Sequence, residues 1–175
     1  MSYKSASADV PIELDPQNDG EYVRKAFLIE GYLNLATIPL ITHPRFILPY
    51  LLNRPYEINE STVFFARLFG VIVVAALSPG LFAGARNTRN AIESRSIVYI
   101  ILGGAELLLI PMLLIEALKG GSRDAVLGYR TAVMGVLSIA PPLLWRAYVL
   151  FVRPDLLGRY REIKGEANER SRLRD

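Results

Sequence analysis

The chain has 175 residues, 51% of them apolar and 21% charged, with no Cys, one His and a formal net charge of +3. So much apolar content excludes a disordered chain. The lack of Cys excludes a disulfide scaffold, a Cys nucleophile and thiolate metal sites, and one His leaves no multi-His metal centre. Mean hydropathy is +0.27, which with an ordinary charge content means that the charge is segregated along the chain.

Residues 1–21 are polar and include Asp9, Glu13, Asp15, Asp19 and Glu21. No apolar stretch opens them, so no cleaved signal peptide is expected, and their acidity argues against a mitochondrial transit peptide. They read as a disordered polar tail. The next segment, 22–41, contains AFLIEGYLNLATIPLI, a run of 16 residues interrupted by Glu30, Asn34 and Pro39. It is expected to be the first of four spans, or to lie tilted or re-entrant. Residues 42–61 follow, with FILPYLL too short to cross. This stretch reads as an interfacial or re-entrant element, or as a loop whose aromatics anchor at the interface.

Asn59-Glu60-Ser61-Thr62 offers helix N-cap residues ahead of the second span. Asn59 also opens a glycosylation sequon, but it abuts the span, and capping is the favoured role. Residues 62–85, 97–118 and 127–152 are long apolar stretches, each above the roughly 20 residues that cross a ~30 Å hydrocarbon layer. Small residues at Gly80/Gly84, Gly103-Gly104-Ala105 and Gly128/Ala132 suit close helix packing in lipid. Pro79, Pro111 and Pro141-Pro142 predict kinks in three spans. Residues 153–175 form a mixed, mildly basic tail. The pI of 9.3 therefore reads as a juxtamembrane segment attracted to anionic headgroups and not as a nucleic-acid-binding surface. The predicted fold is all-α: a polytopic transmembrane bundle of four spans, 22–41, 62–85, 97–118 and 127–152, between a polar N-terminal tail and a cytoplasmic C-terminal tail.

The basic residues set the expected orientation. With four crossings, the two chain ends and the 86–96 turn share a side carrying thirteen Lys and Arg, against five on the other. The positive-inside rule then places both termini in the cytoplasm, in the endoplasmic reticulum or another endomembrane.

Each expected span also holds a strong ionisable residue: Glu30, Arg67, Glu106 and Arg146, with Glu116 near the end of the third. Such residues cost about 2.5–3.5 kcal/mol each on insertion scales, so they should face the bundle interior, pair or reach the interface. A rise of ~1.5 Å per residue puts Glu30 and Arg146 at similar depth, Arg67 level with Glu116, and Glu106 near the midplane within ~5 Å of Arg146. A carboxyl in a dry site can act as a general acid. Glu106, Arg146 and Glu30 are therefore the candidate catalytic residues, with Arg67, Tyr50 and His43 as further substrate-binding candidates. The alternative is a set of inter-helix salt bridges. The chain lacks G-x-S-x-G, Walker A, H-E-x-x-H and dinucleotide-binding motifs, so no cofactor or metal is expected.

Two stretches, RNTRNAIESRSIVYIILGGAELLLIPMLL and LLWRAYVLFVRPDLLGRYREI, resemble small four-span integral membrane proteins of filamentous fungi over roughly residues 62–162. The resemblance implies the fold but no particular activity. Membrane-bound terpene cyclases offer an analogy for carboxylates acting on lipophilic substrates, and none of their motifs is found here. Three roles follow. The first is a membrane enzyme doing acid/base chemistry of isomerase or cyclase type on a lipophilic small molecule, as in secondary metabolism. The second is a non-catalytic assembly or partner-binding protein, and the third an oligomeric transporter. The expected partners are the lipid bilayer, a lipophilic small molecule, and a second copy or another membrane protein, without nucleic acid.

Overall fold

The computed structural model describes residues 12–162. The sequence places good caps where apolar helices begin. Asn59 accepts the Thr62 backbone N–H through its side chain (3.0 Å) and opens helix α4, Glu60–Val71. Thr88 does the same for Ala91 (3.3 Å) and opens α6, Arg89–Leu118. Helix α4 continues without a break through a π-helical turn, Ile72–Leu77, into α5, Ser78–Gly84. Pro79 has no N–H for the ladder, and the Ser78 hydroxyl donates to the Val73 carbonyl five residues back (3.0 Å). Helix α7, Tyr129–Ala147, ends in a second π turn, Tyr148–Val152. Helices α6 and α7 run through Pro111 and through Pro141-Pro142.

Three helical rods, Glu60–Gly84, Arg89–Leu118 and Tyr129–Val152, are long and apolar enough to cross a membrane. The hydropathy of the sequence predicts four. The first expected span, 22–41, is instead broken into α1, Glu21–Leu35, and the five-residue α2, Ile38–Thr42. Pro39 starts a new helix, and the Thr37 hydroxyl donates to the Asn34 carbonyl (2.7 Å) at the break. Helix α3, Pro44–Leu51, is the amphipathic FILPYLL segment, and it exposes Phe46 and Tyr50.

The helices pack as two pairs, the broken α1–α2 segment on the first rod and the second rod on the third. Helix α1 packs on α5 and its π turn, α2 packs on α4, and α6 packs on α7. Glycines set the first contact. A Cβ at Gly31 would lie 2.8 Å from Phe82 Cε1, and Gly84 lies bare against the Phe27 ring. Gly84→Val is expected to overpack this contact and destabilise the protein by about 1–3 kcal/mol. Unfolding in detergent measures this, and an unchanged transition would show that α1 can shift freely on α5.

The buried core lies toward one end. It comprises Val23, Phe27, Leu81, Ala85, Tyr99, Leu102 and Val149. At that end a small antiparallel sheet pairs β1, Ile12–Leu14, with β2, Tyr160–Glu162. A purely α-helical fold and a polar tail over 1–21 left no place for β1; neither three-residue strand is long enough to show a period of two. Residues 1–11 and 163–175, the rest of the two expected tails, lie outside the described residues. Beyond the core the helices are largely bare. None of residues 107–118 is buried, and large apolar side chains such as Leu108 and Leu118 are exposed.

Two aspartates brace the turns that flank the sheet in the chain. Asp15 accepts from the Asn18 side-chain amide (3.1 Å) and the Gln17 N–H (3.0 Å), which hold its carboxyl below the ordinary value of 3.8. The Arg153 guanidinium donates to both Asp155 oxygens and lowers that carboxyl too. A carboxyl whose folded pKa is depressed adds stability above its unfolded value, and that stability is lost as pH falls through the folded value. Hydrogen-exchange protection of 12–18 and 154–161, corrected for intrinsic rates, is therefore expected to fall on acidification below 3.8. Protection that stays level down to acid unfolding would refute the link.

Candidate functional site

Arg146 is the centre of the site. It lies in the last turn of α7 and is 3% exposed. One terminal nitrogen donates to Glu30 Oε2 of α1 (2.5 Å), and the other donates to Glu106 Oε1 of α6. A single guanidinium thus ties both helix pairs together. Each carboxylate takes one nitrogen, so the pairing is splayed and not the parallel fork of a bidentate pair.

Aromatic residues wall the guanidinium on the core side. Its carbon stands 5.7 Å from the centroid of the Tyr99 ring, within the range of cation–π attraction. The Tyr99 hydroxyl accepts from Trp145 Nε1 (2.9 Å), and Phe27 meets the Tyr99 ring edge-on at 4.9 Å. Gly103 makes room on α6: a Cβ there would touch Arg146 Cδ at 3.8 Å.

Two buried atoms of the triad have no partner among the described residues, Glu106 Oε2 and Arg146 Nε. With both carboxylates ionised, the three side chains sum to one negative charge. Four cavities are lined by described residues elsewhere, and none of the four is lined by Glu30, Glu106 or Arg146. The three charges meet directly and not around one of these spaces.

The other sequence candidates lie apart. Arg67 is exposed on the outside of α4 and has no ion-pair partner among the described residues. Its expected partner Glu116 is used locally instead. Glu116 takes Lys119 Nζ (2.5 Å) and the backbone N–H groups of Val126 (2.6 Å) and Leu127 (3.1 Å), tying down the α6–α7 connection. His43 separates α2 from α3, with its ring beside the Thr42 hydroxyl (2.9 Å). Tyr50 is 72% exposed against Phe46, and its carbonyl accepts from Thr131. Thr131 is fifteen positions from Arg146 in α7, or ~22 Å along the helix, so Tyr50 does not reach the triad.

Arg95, one of the basic residues of the 86–96 segment, is a second buried hub. It is fully buried and donates to three carbonyls: Gly84 (2.9 Å), Arg86 (3.0 Å) and Leu157 (2.5 Å). Arg24 donates to Ala85 (3.0 Å). The last carbonyls of a helix lack intrahelical donors, and these two arginines supply them for α5. Gly20 and Gly158 make room, at positive φ (74° and 97°) and in direct contact with the same guanidinium. The signal was present in the sequence. Arg95, Tyr99 and Leu102 fall at i, i+4 and i+7, the spacing of one buried helix face.

No family model, curated protein or solved structure matches the chain.

Proposed function

We propose that this is a four-pass integral membrane protein of non-catalytic, assembly type, in which buried charges lock the helices together. The observation that carries this reading is the direct bridge from Arg146 to Glu30 and Glu106, which joins three helices through one guanidinium. A polar link of this kind between helices is a recognised means of association in lipid, where apolar side chains gain little by leaving the acyl chains.

Three long apolar rods favour a membrane location. Strand pairing supports the fourth pass. Residues 12–14 and 160–162 are hydrogen-bonded to each other, which supports a shared side of the membrane, and a chain that starts and finishes on one side crosses an even number of times between those points. The broken segment 21–42 lies along the whole Glu60–Gly84 rod and supplies the remaining crossing. The excess of basic residues around this end supports a cytoplasmic position for it, and the reading takes the endoplasmic reticulum or another endomembrane as the location.

The natural lack of Cys makes the topology directly testable. In intact microsomes, Ser5→Cys and Ser171→Cys should react with an impermeant maleimide, whereas Ser122→Cys should react only after permeabilisation. Reaction of Ser5→Cys and Ser171→Cys from opposite sides would refute four passes.

An acid/base enzyme is the second reading, and the unpartnered Glu106 Oε2 favours it. The two readings separate on Glu106→Gln. A lock predicts altered stability or co-purification with an unchanged lipophilic metabolite profile in the host. An enzyme predicts a profile matching that of a deletion strain.

A further inference from the structure

The outer end of α6 carries a groove that no part of the triad uses. It has a volume of about 470 Å3 and is lined by Leu109, Met112, Leu113, Ile115, Val126 and Leu127, with Glu116 at its polar edge. Met112, Ile115 and Val126 are more than half exposed, so the groove opens sideways from the bundle. From Leu109 to the end of α6 at Leu118 is nine residues, or ~14 Å at 1.5 Å per residue. That is about half of a ~30 Å hydrocarbon layer, the depth of one leaflet.

The charges next to the groove-lining residues in the chain favour an anion. Glu116 is already engaged by Lys119 and two backbone N–H groups. Arg123 and Arg130 flank Val126 and Leu127 in the chain, are exposed and have no partner among the described residues. Asp124 offsets one of them, and the 116–130 segment still has three cations against two anions. Guanidinium groups bind phosphate oxygens through paired N–H donors.

We propose that this groove holds one glycerophospholipid, its acyl chain against Leu109, Met112 and Ile115 and its phosphate at Arg123 and Arg130. The site rests on the membrane reading but makes a narrower claim, that one lipid position is specific. The probes are dioleoyl phosphatidylglycerol and dioleoylglycerol, which share chains and differ in the phosphate. Each is titrated into the detergent-solubilised full chain and counted by native mass spectrometry.

The wild-type protein should retain one phosphatidylglycerol at least tenfold more tightly than dioleoylglycerol. Arg123→Gln combined with Arg130→Gln should remove that preference, and Met112→Trp should weaken retention of both lipids. The arginine pair is exposed and its replacement tests the site even if Met112→Trp misfolds, which circular dichroism reports. Equal retention of the two lipids, or an unchanged preference in the Arg123/Arg130 variant, overturns the proposal. Alkaline extraction of host membranes tests the membrane reading separately: a protein released by carbonate defeats that reading whatever the lipid counts show.

Discussion

Arg146→Met is expected to be the most damaging single substitution in the bundle, costing about 3–5 kcal/mol. Methionine keeps a flexible apolar stem, but it leaves Glu30 and Glu106 facing each other without a cation. Removing one member of a buried ion pair costs more than the pair itself contributes, because the remaining charge stays desolvated. The triad makes this graded. Glu30→Gln or Glu106→Gln leaves a one-to-one pair with Arg146 and should cost well under half as much. Replacing both glutamates strands Arg146 and should restore most of the penalty. The single and double variants form a cycle whose terms are strongly non-additive. Equilibrium unfolding in mixed micelles reads all of them. An Arg146→Met protein within ~1 kcal/mol of wild type would show that the bridge holds nothing, and the proposed function would fail with it.

Arg95→Gln should rank second. Its guanidinium satisfies carbonyls at Gly84, Arg86 and Leu157, from two separate stretches of chain. Hydrogen bonds from a charged donor are worth about 1.5–3 kcal/mol each. A Gln amide offers two N–H donors on a shorter stem, so at least one carbonyl loses its donor. A loss of about 3 kcal/mol is expected, confined to one end of the molecule. Limited proteolysis locates it: cleavage in the 85–88 turn and near 158 should speed up, while the 119–128 connection stays protected. Uniform loosening of both ends would assign Arg95 a global role instead.

The sequence made the rods legible because hydropathy is additive along a helix. Apolar limits at 62–85, 97–118 and 127–152 correspond to helices at 60–84, 89–118 and 129–152. The early start of α6 was hidden because its first two turns, Arg89 to Ser96, are mostly polar, so only the Thr88 cap marks them. Depth arithmetic brought Glu30, Glu106 and Arg146 together, because three charges near one level on inward faces have few other neighbours. The same arithmetic failed for Arg67 and Glu116. Depth says nothing about direction around a helix, and Glu116 had nearer donors in the loop that follows it. The β1–β2 pairing was invisible because contact between segments nearly 150 residues apart leaves no local pattern.

The bridge from Glu30 to Arg146 also has a meaning in time. The two residues are 116 positions apart in the chain. At ~5–20 residues per second, synthesis leaves Glu30 waiting roughly 6–23 seconds for its counter-charge. During that interval the broken segment 21–42 carries an uncompensated carboxylate and is too interrupted to form one continuous apolar helix. A nascent chain arrested before residue 146 should therefore leave its first segment at the membrane surface. If the chain crosses four times as proposed, the arrival of the last helix would then complete insertion of the first.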